Sequence, residues 1–199
     1  MADLYSTLIS ILLLLSTASF MIVVAFVCSS ISFSRFILTR KGIAPKIIFG
    51  VIFGLLAIYG TFMGTKLADG TIVNVRELAT MIAGVTGGPL AGMLAGLIGG
   101  IHRFSVGGAT ALPCAISTIV IGVVAGFVST KLIGKAYLLK GAALAIILEL
   151  FAMGLILVFV TPFENAVNIV TQIAIPMVLA NTIGLVLWMY LFNRWNVLH

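Results

Sequence analysis

The sequence predicts an all-α integral membrane protein of about six hydrophobic segments. Three observations carry that prediction. Of 199 residues, 62% are hydrophobic and only 8% are charged. The mean hydropathy is +1.30. The apolar residues also come in long runs, without the alternation that a membrane β-strand needs. A soluble domain carries about 25% charged residues, and a chain this poor in charge cannot cover a water-facing surface. A helical span takes about 20 apolar residues. The chain therefore holds six or seven segments and their turns, and residues 1–199 are read as a single domain.

The segments are read as Leu4–Ser30, Ile47–Thr65, Val73–Ile101, Thr110–Leu132, Gly141–Val160 and Val167–Leu191. The first is a span rather than a cleavable leader. Asp3 is the only charge before Arg35, and the apolar run Leu8–Val27 has full span length. Basic residues follow the first segment (Arg35, Arg40, Lys41, Lys46), the fourth (Lys131, Lys135, Lys140) and the last (Arg194). The positive-inside rule puts these loops in the cytoplasm, with the N-terminus outside and the C-terminus inside. The formal charge of +6 then meets anionic lipid headgroups, not nucleic acid. Cys28 and Cys114 lie within apolar segments. The spacing of Cys and His predicts neither a disulfide framework nor a metal site, and no cofactor is expected.

That orientation requires the third segment to make no net crossing. Gly87-Gly88-Pro89 stands in its middle, and proline removes a backbone donor and clashes with the preceding turn. Each half is expected to hold about 13 to 15 residues, or about 20 Å, too short for about 30 Å of hydrocarbon. The expectation is a re-entrant pair of half-helices shielded by the other spans. Gly84, Gly88, Gly92, Gly96 and Gly100 recur every four residues and predict a packing ridge. Pro113 and Pro176 are expected to kink their helices.

Ionisable residues within membrane segments are the candidates for function. Arg76 opens the first half-helix beside Asn74 and Glu77, and His102 and Arg103 follow the second. Thr110, Cys114, Ser117 and Thr118 share one face of the fourth segment, at i, i+4, i+7 and i+8. A hairpin packed on that face would gather two guanidinium groups and several small polar groups. Such a pocket suits a small carboxylate, which a guanidinium grips with two hydrogen bonds. The alternative is that Arg76 and Arg103 pair internally with Glu77 and Glu149, or reach the headgroups. Glu149 is a counter-ion, a proton site or a neutral acid, and Asn181 is read as interhelical glue.

Several of these stretches resemble a known family. Asn74-Val75-Arg76, Gly87-Gly88-Pro89, Gly99 through Phe104, Gly107 through Ala111, Cys114 through Ile119, Pro176-Met177 and Asn181 through Gly184 are similar to the membrane input region of LytS/BtsS-type sensor histidine kinases. The same region also precedes some diguanylate cyclases. The resemblance covers nearly the whole chain. It implies a receptor of the bacterial inner membrane for an extracellular small molecule. In pyruvate-sensing members the binding residues match Arg76, Arg103, Cys114 and Ser117. It also implies a homodimer and a cytoplasmic output domain or response regulator. The chain ends about eight residues after the last predicted segment, so that output is expected to reside elsewhere. The fold is also similar to the substrate-binding subunits of energy-coupling-factor vitamin transporters, which keeps a transport subunit open as an alternative. No nucleophile triad, metal site or phosphate loop suggests catalysis within these 199 residues.

Overall fold

The computed structural model describes residues 8, 11–23, 42–66, 71–132, 134 and 136–198, with side chains to residue 193. Among the described residues six helices follow one another: α1 (Ile11–Val23), α2 (Ile43–Phe62), α3 (Arg76–Val106), α4 (Ala111–Val128), α5 (Tyr137–Phe159) and α6 (Phe163–Leu198). A short 3-10 turn, Ser129–Lys131, extends α4. Between α2 and α3, Thr65–Lys66 and Ile72–Val73 pair as two antiparallel two-residue strands, the only strands among the described residues. Helices α2 to α6 are each long and apolar enough to cross a membrane. The ends predicted for the first segment, and Cys28, Arg35, Arg40, Lys41 and Lys135, lie outside the described residues.

Length alone misleads for α3. Gly88 has φ 80° and ψ −174° inside it, a conformation that a Cβ makes costly, and Pro89 follows. In a straight helix Gly84 and Gly92 would stand about 12 Å apart. Here a methyl placed on Gly92 would lie 2.9 Å from the Gly84 Cα. A methyl on Gly99 would lie 3.8 Å from the Arg76 Cδ. The two arms therefore run antiparallel from a tip at Gly88, and α3 is a hairpin, as the broken segment predicts. The arms are unequal. Residues 76–87 make about 18 Å and residues 89–106 about 27 Å, and neither reaches across about 30 Å of hydrocarbon. The second arm continues past Ile101 to Val106, so His102 and Arg103 lie on the helix rather than after it. The chain leaves the arm only at Gly107, at φ 77°.

The hairpin is wedged between α2 and α4. Methyl groups on Gly50 and Gly54 of α2 would strike Leu94 and Ile98 of the second arm. On the other side Gly84, Gly92, Gly96 and Gly100 face α4 at Gly122, Ile119 and Ala115. The glycine ridge is a packing seam, with one correction. Gly88 is the tip of the hairpin and not part of the ridge, because the chain reverses there. Helices α5 and α6 pack on each other, and Leu78 of the first arm fills the notch at Gly184 of α6. On the far side, Met21 of α1 reaches Gly60 of α2. Pro113 lies in the first turn of α4, where no helical hydrogen bond is lost and no kink is forced. Pro176 falls inside α6 without ending it.

The seams also fix which helix ends lie together. Gly126 of α4 abuts Gly88 and Pro89, and Trp188 of α6 donates to Thr86 beside the tip. Lys46, Lys131 and Lys140 therefore share the end of the bundle occupied by the hairpin tip. Arg76 and Arg103 lie toward the opposite end, with Phe62 and Thr110.

Candidate functional site

Two arginines are buried in the seam between the hairpin and α4, and both have 0% exposure. Arg76 is the first residue of the first arm. Asn74 sets it there: its side-chain oxygen accepts from the Arg76 amide at 3.0 Å, and its side-chain amide donates to the Ile72 carbonyl at 3.0 Å. This is a turn-forming use of asparagine, so Asn74 positions the site rather than facing it. The Arg76 guanidinium donates Nε to Thr118 Oγ1 at 2.7 Å and Nη2 to Glu77 Oε1 at 2.5 Å. Ser117 Oγ stands 3.4 Å from the same Glu77 oxygen. Ser117 and Thr118 also donate back to the Cys114 carbonyl at 3.0 and 2.6 Å, which holds both hydroxyls on the α4 face that meets the hairpin. Glu77 is 1% exposed and is the acid nearest the cluster.

Arg103 comes from the last turn of the second arm. Nη1 donates to the Gly107 carbonyl at 2.7 Å and Nη2 to Thr110 Oγ1 at 2.8 Å. A cation there complements the negative end of the helix dipole. Cys114 lies on the same buried face of α4, one turn before Ser117 and Thr118. Among the described residues only Arg76 has a carboxylate within 4.0 Å, that of Glu77. Arg103 has none. Among the described residues, the donors Arg76 Nη1 and Arg103 Nε and the acceptor Glu77 Oε2 have no hydrogen-bond partner. A buried arginine is expensive in a membrane interior unless its charge is answered. The arrangement answers one of its two cations.

A family model described as "5TMR of 5TMR-LYT" matches residues 31–194. The chain belongs to this family. The sensor histidine kinase BtsS of Escherichia coli K12 is 37% identical over 145 residues, which cover 70% of this chain and 26% of BtsS. The sensor protein LytS of Bacillus anthracis is 32% identical over 193 residues, 87% of this chain and 32% of LytS. The sensor histidine kinase YpdA of Escherichia coli K12 is 31% identical over 168 residues, 82% of this chain and 30% of YpdA. The chain thus spans about a quarter to a third of the length of these relatives. It is a multi-pass membrane sensor region of the LytS/BtsS type. No solved structure matches it.

In this 5TMR-LYT chain, six of the eight residues singled out from sequence converge: Arg76, Arg103, Thr110, Cys114, Ser117 and Thr118. Asn74 supports them from behind. His102 does not join them. It is half-buried and packs on the Phe62 ring, with centroids 4.9 Å apart, because successive helical positions point about 100° apart. Sequence reasoning undervalued Glu77, treating it only as a possible partner of Arg76. Its place one residue after Arg76, on a half-helix buried all round, was the available signal. The suggested Arg103–Glu149 pair does not form. The Glu149 carboxylate instead accepts from the Asn181 amide at 2.7 Å, joining α5 to α6, which is the interhelical role expected of Asn181.

Proposed function

We propose that the seam between the hairpin and α4 is the receptor site for a small carboxylate, with pyruvate the first candidate. One observation carries this reading: Arg103 is fully buried, lacks a carboxylate partner among the described residues, and keeps a buried donor, Nε, without a hydrogen-bond partner there. A monocarboxylate would supply the missing charge. Its oxygens would take the spare donors Arg76 Nη1 and Arg103 Nε, in charge-assisted bonds of the kind that guanidinium groups form well. A 2-oxo or 2-hydroxy group would lie toward Ser117 and Cys114. A relative named as a histidine kinase supports the receptor class; the choice of pyruvate rests on the resemblance of Arg76, Arg103, Cys114 and Ser117 to the pyruvate-sensing members.

The basic end of the bundle is assigned to the cytoplasm by the positive-inside rule. The arginine seam then lies toward the outer face, and α6 leads inward to a cytoplasmic kinase, read by a response regulator and working as a homodimer. Ligand binding would shift the packing of α6 only through a difference in affinity between two states. Calorimetric titration of the purified protein with pyruvate, acetate, lactate and 2-oxobutyrate tests the site. Saturable heat that vanishes in Arg103→Ala is expected. No heat from any of the four acids would overturn the carboxylate reading and leave the membrane fold standing.

A further inference from the structure

A cavity of about 200 Å³ lies at the opposite end of the bundle from the arginines. Its walls come from Thr86 beside the hairpin tip, Leu132 after α4, Tyr137 at the start of α5, and Trp188, Met189 and Phe192 of α6. Its volume is several times the ~30 Å³ share of one liquid water. Three polar side chains of the wall, those of Thr86, Ser129 and Trp188, are engaged, and Tyr137 and Asn193 add polar groups at its edge. Trp188 donates its indole N–H to Thr86 Oγ1 at 2.9 Å, and Ser129 Oγ donates to the Gly126 carbonyl at 2.7 Å. What faces the space is mainly aromatic and aliphatic carbon, which favours an apolar occupant.

The rim has the opposite chemistry. Lys131 directly precedes the lining residue Leu132, and Lys140 lies one helical turn beyond Tyr137. Both side chains are exposed, and Lys140 Nζ donates to the Lys131 carbonyl at 3.2 Å, which sets one ammonium group against the turn that carries Lys131 and Leu132. A slot lined more by carbon than by polar atoms, next to exposed lysines, matches an amphiphile with an anionic head. We propose that this cavity takes one acyl chain of an anionic phospholipid from the adjoining leaflet, with the phosphate held by Lys131 and Lys140. The occupant would lie against Thr86 and Trp188, the hydrogen-bonded link between hairpin and α6. This inference rests on the packing at the basic end and is independent of the carboxylate reading.

The test uses Trp188 as reporter, in a Trp195→Phe background, so that it is the single tryptophan. Trp188 is 1% exposed, so a chain within the cavity reaches it far better than surrounding lipid. The protein is reconstituted in vesicles of phosphatidylcholine carrying one-tenth brominated phosphatidylglycerol, or one-tenth brominated phosphatidylcholine. Quenching by the brominated phosphatidylglycerol is expected to be at least twofold greater. Lys131→Gln with Lys140→Gln, two exposed changes that leave the core intact, should equalise the two lipids. Equal quenching in the unmodified chain would give the slot to bulk lipid chains and overturn the proposal. So would an absence of quenching, or a phosphatidylglycerol preference that survives the double substitution.

Discussion

Replacing each arginine by leucine should have different consequences. Arg76→Leu removes the donor to Thr118 and the partner of Glu77, and leaves the Glu77 carboxylate buried with no cation. Breaking one side of a buried pair costs about 3–5 kcal/mol, so a steep fall in stability is expected. Arg103→Leu removes two charge-assisted bonds, to Gly107 and Thr110, each worth about 1.5–3 kcal/mol. It also removes a buried cation that faces no carboxylate, and the effective burial penalty of an ion is several kcal/mol. The two effects oppose each other, and the ligand-free protein should change by no more than about 1–2 kcal/mol. Ligand binding should nonetheless be lost. Truncating one partner of a buried charge pair costs about 2–5 kcal/mol, or about thirtyfold to several-thousandfold in Kd. The assay is thermal unfolding in detergent with and without saturating pyruvate. Arg76→Leu should lower the ligand-free midpoint sharply. Arg103→Leu should leave it nearly in place and abolish the shift that pyruvate produces. If Arg103→Leu destabilised as much as Arg76→Leu while keeping a pyruvate-dependent shift, Arg103 would be a structural cap and the binding role would be wrong.

Two further perturbations probe the scaffold. Gly92→Ala would drive a methyl into backbone on both sides, at Gly122 of α4 and at the Gly84 Cα, and should cost about 1–3 kcal/mol by overpacking. Thermal unfolding would show it, with Gly154→Ala as control, because nothing stands within 4 Å of a methyl there; equal midpoints for the two variants would contradict the seam. Thr86→Val keeps side-chain shape but removes the acceptor for the Trp188 indole, leaving a buried donor unpaired at about 1–3 kcal/mol. In a Trp195→Phe background, calorimetry should find pyruvate affinity unchanged, while any pyruvate-dependent change in Trp188 emission should fall. Persistence of that change would take the Thr86–Trp188 link out of signal transmission.

Much of this architecture was legible because membrane burial makes sequence unusually explicit. A chain with so little charge has few ways to place an arginine, and Arg76 and Arg103 stood out against long apolar runs. The loop charges and the Gly87-Gly88-Pro89 break together required a segment that returns to the side it entered, and the hairpin follows. Less could be read at the ends of the arms. Ile101 looked like a terminus because His102 and Arg103 are polar, yet the helix absorbs both: Arg103 bonds the carbonyl of Gly107 past the helix end, and His102 covers Phe62. A period of four could not separate Gly88 from its neighbours, since spacing does not say where a chain reverses. Which acid answered Arg76 was a question of side-chain direction, settled only when α4 was seen to present Ser117 and Thr118 to the same carboxylate.

The hairpin gives the two ends of the bundle a common element. Arg76 stands at its base and Thr86 near its tip, on one arm whose exposed surface is slight and whose Gly84 lies directly on the α4 backbone. An arm packed this closely cannot bend gradually; it moves as a body or stays in place. Its contacts with α6 are few and distinct: Leu78 in the notch at Gly184, and Thr86 under the Trp188 indole. A change in the charge balance at Arg76 and Arg103 would therefore reach α6 as a displacement at those two points. One turn before the first of them, Asn181 of α6 holds Glu149 of α5, tying the two helices together. The receiving element is then the α5–α6 pair and not α6 alone. The cavity beside Trp188 lies where such a displacement would be largest, at the far end of the lever from the arginines.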